Sequence, residues 1–210
     1  DSGTLVLAKS SGDAVHNSPL QIGTGSGAVT VRLDASNQIA DAATVTVNSG
    51  SQLNLNGYNE TIGALTLSNA TVATGGGTLT LGGDVTSSST SAISGGALDL
   101  YGFERTFTVT ETLTVSASVT GGTSDLIKAG GGTLILTGDN SYAGETEVSA
   151  GAVRLGHSNA LGSTAGGTVV SSGARLEMQA GAIPIEVGDE ALILNGGGGG
   201  GGALCSLSGT

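Results

Sequence analysis

Tryptophan is missing from this 210-residue sequence, and only five other aromatic residues occur: Tyr58, Tyr101, Phe103, Phe107 and Tyr142. A globular core normally uses such rings to fill its thickness. Their scarcity predicts a narrow interior filled by Val, Leu, Ile and Ala, which favours a thin rod over a sandwich. Basic residues are scarce as well: Lys9, Lys128 and four arginines stand against 17 acids, for a net charge of −11. Such a chain repels phosphate backbones and anionic lipid surfaces, which argues against nucleic-acid binding. The single cysteine, Cys205, makes neither an internal disulfide nor a thiolate metal site. No run approaches the ~20 apolar residues of a spanning helix. No signal peptide is visible, and Asp1 opens inside a strand-like word, so the sequence reads as an excised or mature piece.

Glycine is plentiful, at 39 residues, but it sits between strand words rather than throughout them. The word TLILT near Thr133 and AVRLG near Ala152 place apolar residues at every second position, the period of a half-buried strand. No segment has the length and period of a helix. The run GGGTLTLGGD (Gly75–Asp84) returns as GGGTLILTGD (Gly130–Asp139), identical at eight of ten positions. LNLNGYNETI (Leu53–Ile62) aligns with LDLYGFERTF (Leu98–Phe107), placing Tyr58 on Phe103 and Ile62 on Phe107. RLDASNQIADAATVTVNSGSQLNL (Arg32–Leu55) aligns with RLGHSNALGSTAGGTVVSSGARLEM (Arg154–Met178) with one insertion. Strand words that recur behind glycine turns predict a solenoid. The expected fold is all-β: a right-handed parallel β-helix forming one segment over residues 1–210, with irregular coils of about 20–24 residues. Roughly nine or ten coils at ~4.8 Å would give a rod of ~45 Å. Leu79, Leu81, Leu134, Leu136, Val153 and Leu155 are expected inside; Thr78, Thr80, Thr133 and Arg154 are expected to face water.

The stretch from Gly131 to Gly162, with Asn140, Tyr142, Gly144, Thr146 and the tail SNALGS (Ser158–Ser163), resembles the autotransporter-associated β-strand repeat, also called the passenger-associated transport repeat. LNLNGYNETIGALTL and VRLDASNQIADAATVTVNSG resemble further elements of the same proteins, so the likeness covers most of residues 2–195. The resemblance implies a β-helical passenger, secreted or exposed on the surface of a Gram-negative-type bacterium, used as stalk and export scaffold. It fixes no activity. The membrane barrel of such proteins lies outside these 210 residues. The chain also departs from the family near its end, where it reads LNGGGGGGGALCSLSGT.

Sites of chemistry are sparse. His16 lies two residues before Ser18 and His157 beside Ser158, without a Gly-x-Ser-x-Gly elbow anywhere, and both read as solvated corner residues. Glu145 and Glu147 share one strand face and could bind a cation, but read as outer-face substitutions. Asp99 and Glu104 flank a corner. GGDV (Gly82–Val85) and GGTSD (Gly121–Asp125) are fragments of calcium-roll words without the tandem nine-residue spacing such rolls need. GTGSGA (Gly23–Ala28) matches a dinucleotide fingerprint weakly and opens no helix. The Thr-x-Thr words at Thr44, Thr78, Thr106 and Thr112 would suit an ice-binding face only if they stacked in phase, which their spacing opposes. Asn59 and Asn69 head glycan-acceptor triplets by pattern alone. Cys205 reads as a small core residue or an interchain thiol. No catalytic, cofactor or metal residue is assigned. The expected function is a non-enzymatic extracellular structural or adhesive element: a stalk, coat or fibre segment. The alternative is a solenoid carbohydrate-active enzyme, or the passenger scaffold for one, which a concave cluster of three or more acids beside Arg or Tyr would favour. The expected partner is another β-coil, either of a longer solenoid or of a second chain stacked end to end into a filament.

Overall fold

The computed structural model describes residues 2–207 apart from 17, 25, 26, 180–184 and 198–201. Among the described residues there is no helix, and every strand pairing is parallel. Such a chain of parallel crossovers winds to the right. The result is a parallel β-helix. One ladder runs ten strands deep from Gly3–Leu7 to Leu204–Leu207, and a second runs nine deep from Leu20–Ile22 to Leu192–Leu194.

The register gives the coil lengths. Gln52 pairs with Thr71 and Thr133 with Ala152, offsets of 19 residues, whereas Leu176 pairs with Leu204, an offset of 28. Most other steps are 20 to 23 residues, such as Thr112 on Thr133 and Thr146 on Thr168. The extra length of the outer coils sits in their corners, because the strands themselves stay three to five residues long.

The first ladder folds into two faces where it is widest. Thr71–Leu81 is one bent strand: its first half pairs with Gln52–Asn54 and its second with Glu60–Ile62. Ser91–Asp99 bends likewise, with register shifts on both sides of Gly95. The bend is possible because Gly75–Gly77 and Gly95–Gly96 lie flat against one another. A Cβ on Gly77 would collide with the carbonyl oxygen of Tyr58. Below, face 1 denotes the strands in line with Gln52–Asn54 and face 2 those in line with Glu60–Ile62. The nine-strand ladder is face 3.

Alternation does the rest. On face 1, Val31, Leu53, Val72, Ile93, Val115, Leu136 and Leu155 form one buried column. On face 3 the column reads Val45, Leu65, Val85, Phe107, Lys128, Val148, Val170. The six residues expected inside are fully buried. Thr78, Thr80, Thr133 and Arg154 lie on the outer side, half-buried among their stacked neighbours.

The internal repeats hold a surprise of phase. Arg32–Leu55 and Arg154–Met178 occupy the same faces in the same order: Val47 and Val170 on face 3, Leu53 and Leu176 on face 1. The other two matches do not stack. Leu79 of GGGTLTLGGD lies on face 2, Leu134 of GGGTLILTGD on face 1. LNGY turns the chain from face 1 to face 2, and LYGF turns it from face 2 to face 3. What these words share is a turn. Asn56 and Gly57, like Tyr101 and Gly102, take consecutive positive φ angles (52°, 87°; 62°, 73°). In each, the side chain two residues earlier (Asn54, Asp99) accepts the N–H of the first turn residue.

Candidate functional site

The two histidines are far apart in the ladder. His16 is 61% exposed, with Nε2 3.3 Å from Lys9 Nζ and Nδ1 3.7 Å from Asp13 Oδ2. Those two neighbours, Lys9 and Asp13, line an open pocket of about 480 Å³ together with Ser10, Ser11 and Gln38. His157 accepts the Asn159 N–H at Nδ1 (3.1 Å), with Asp139 4.0 Å away. Glu145 and Glu147 do share the outer side, and Glu147 accepts the Ser149 hydroxyl at 2.6 Å. The glycine–aspartate words serve the backbone: Asp84 accepts Thr106 N–H and Asp125 accepts Glu145 N–H, each from the next coil. Among the described residues no group of three His, Cys, Asp or Glu is placed to hold a metal ion. Asn59 accepts Thr78 N–H and Asn69 donates to Ser49, so both amides are engaged. The Thr-x-Thr words fall on all three faces. Cys205 is half-buried on the outer side, in register with Glu177. Of GTGSGA, residues 25 and 26 lie outside the described residues, as do 198–201 of the glycine tract.

Sequence reading missed the charges placed inside. Glu60 follows the LNGY turn and Arg105 the LYGF turn, at matching positions, and both point into the rod. Glu60 stacks on Leu79 and is 1% exposed; its carboxyl accepts Gln38 N–H (2.7 Å) and Ile39 N–H (3.3 Å) of the preceding coil. Burial pushes its pKa up to about 7, against the pull of those two bonds. Gln38 extends the chain of contacts, accepting Lys9 N–H and donating to Lys9 O and Ser36 O. Arg105 does the converse, donating from Nε to Leu81 O (2.9 Å) and from Nη1 to Glu104 O (3.0 Å). Lys128, fully buried between Phe107 and Val148, donates to the carbonyls of Ala129, Gly130 and Ala150. Burial lowers its pKa to about 8. The readable signal was alternation: Glu60 shares a face with Ile62, Arg105 with Phe107, and Lys128 with Leu126.

Two further features face outward. Glu177 is gripped by Arg154 (2.7 Å) and Arg175 (2.5 Å). Its burial favours the neutral form, but the bonds from Arg175 and Arg154 outweigh that and hold the carboxyl below its usual range. At the LYGF corner, Tyr101 and Phe103 are 56% and 60% exposed, their ring centroids 6.0 Å apart. The Arg105 guanidinium carbon lies 5.5 Å from the Phe103 ring centre. Arg105 pairs with Leu126 and Leu126 with Thr146, so the residues before them, Glu104, Asp125 and Glu145, fall in line on three successive coils. Acids beside Arg and Tyr are therefore present, but on a projecting corner rather than in a cleft.

Residues 126–155 match the passenger-associated-transport-repeat family. That stretch covers one and a half coils: Leu126–Ala129 and Thr146–Val148 on face 3, Thr133–Leu136 and Ala152–Leu155 on face 1. Within it, Asn140 clamps three coils, accepting Val119 N–H (2.8 Å) and donating to Ala160 O (2.6 Å). Tyr142 is wholly buried with its hydroxyl 2.7 Å from Thr146 Oγ1; burial raises its pKa. Over 59 residues, 28% of this chain, the sequence is 46% identical to the adhesin BmaC autotransporter of Brucella suis biovar 1 (strain 1330). The shared stretch spans 2% of that adhesin's length. No solved structure matches. The chain is thus a β-solenoid that carries a passenger-associated transport repeat at residues 126–155 and is similar, over part of its length, to an autotransporter adhesin.

Proposed function

We propose that the chain is a non-enzymatic structural or adhesive element, displayed outside a bacterial cell as a segment of an autotransporter-like passenger. The observation that carries this reading is the passenger repeat itself, in which Asn140 joins successive coils of a continuous parallel ladder and Tyr142 is buried inside it. The likeness to a named adhesin supports the adhesive side of the reading and a secreted or cell-surface location. The ladder also supports continuation into further β-coils, in the same solenoid or in a second chain stacked end to end. In an open parallel ladder each coil offers its backbone groups and side-chain columns as a template for the next.

Beads coated with the purified chain should adhere to host-cell monolayers more than albumin-coated beads, and light scattering should show concentration-dependent growth. Adhesion equal to albumin, together with a monomer that stays monomeric at high concentration, would overturn the proposal.

A further inference from the structure

We infer that the Tyr101–Phe103 corner and its line of carboxylates form a docking surface for a basic peptide segment rich in Lys or Arg. The inference deepens the adhesive reading above and rests on it.

Three observations converge. Phe103 is the most exposed large apolar side chain described and Tyr101 is as exposed as Ile193, in a chain with only five aromatic residues. Burying such rings is the usual gain of the hydrophobic effect, and leaving both in water at a projecting turn costs stability. The turn is also rigid: two positive φ angles, the Asp99 cap, and Arg105 fixed beneath Phe103 by two carbonyls. A pre-ordered aromatic pair loses little entropy on binding.

The second observation is the line Glu104, Asp125, Glu145, one carboxylate per coil at ~4.8 Å along the axis. Asp84 lies one coil to the other side, exposed, opposite Thr106. The third is that, among the described residues, no basic side chain forms an ion pair with these carboxylates. Five basic residues are engaged elsewhere, Lys9 with Asp13 O, Arg32 with Asp34, Lys128 with carbonyls, Arg154 and Arg175 with Glu177, and Arg105, at the corner itself, turns its guanidinium to the carbonyls of Leu81 and Glu104. Aromatic faces and carboxylates both attract ammonium and guanidinium groups. An extended basic strand laid along the axis, with side chains on one face about 7 Å apart, would meet rings and acids together.

The probe is fluorescein-labelled octa-arginine, followed by anisotropy at low and at physiological salt. Saturable binding is expected, weakening about tenfold or more between the two as screening grows. Tyr101→Asn with Phe103→Ser should weaken it about fivefold at both salts; asparagine tolerates the positive φ at this position. Glu104→Gln, Asp125→Asn and Glu145→Gln together should weaken it and flatten the salt dependence. Removing the same charge elsewhere, with Glu111→Gln, Glu186→Gln and Asp189→Asn, should change affinity by less than about twofold. Circular dichroism checks that every variant keeps its sheet. Wild-type affinity in the aromatic variant, equal losses in the two triple variants, no saturable binding, or binding of maltoheptaose in place of the peptide would each overturn the inference. Because bead adhesion and stacking are measured without any basic ligand, a failure here is separable from failure of the adhesive reading.

Discussion

Glu60 makes the β-helix sensitive to pH in a direction opposite to ordinary acid denaturation. Its carboxyl would titrate near 4.5 in the unfolded chain and titrates at about 7 in the coil. The folded chain therefore holds this proton more tightly, so the stabilisation is complete below pH ~4.5 and is lost as pH rises through about 7. The contribution is about 2–3 kcal/mol at pH 5 and close to nothing at pH 8. The perturbation is Glu60→Gln, which keeps the size and an acceptor for Gln38 N–H but cannot titrate. Urea unfolding followed by circular dichroism at pH 5 and pH 8 gives the global readout, and amide exchange at Gln38 and Ile39 the local one. The wild type should lose about 2–3 kcal/mol more than the variant between the two pH values. Asp34 and Glu177, whose pKa values are lowered, act on the acid side of this window and leave the comparison intact. Equal pH slopes in the two proteins, or a wild type that gains on the variant as pH rises, would refute the assignment.

Two further outcomes test the joints between coils. Asn140→Ala leaves Val119 N–H and Ala160 O without their buried partner and should cost about 2–4 kcal/mol in urea unfolding. Gly77→Ala drives a Cβ into the Tyr58 carbonyl and should destabilise by roughly 2 kcal/mol or more, whereas Gly76→Ala, with open space around it, should lower the thermal midpoint little.

Architecture was legible because it is written in repeated local words. Alternation in TLILT puts Leu134 and Leu136 inside whichever face the word occupies, so burial could be read without knowing the face. The face itself could not. GGGTLTLGGD and GGGTLILTGD differ at two positions yet lie on faces 2 and 1, because the count of residues since the last corner sets the face. Only the Arg32–Leu55 and Arg154–Met178 pair, long enough to include two corners, kept its phase. The outward corner was half legible: Tyr58 and Phe103 were seen as equivalents, but the line of Glu104, Asp125 and Glu145 exists only once coils are stacked. Glu60, Arg105 and Lys128 were hidden by the habit of reading charge as surface, which fails when a side chain can reach a corner's bare N–H or C=O groups.

The parallel ladder has a mechanical consequence. Its inter-coil hydrogen bonds point along the rod, so tension along the rod loads one layer of bonds at a time instead of shearing many together. Each layer that yields frees one coil, and 21 residues, as between Thr112 and Thr133, extend to about 70 Å. The solid rod shortens by only ~4.8 Å in the process. A tether built this way lengthens in steps under load and keeps its remaining coils folded. Asn140 ties three coils across two such layers, so each of those steps must also break one of its side-chain bonds.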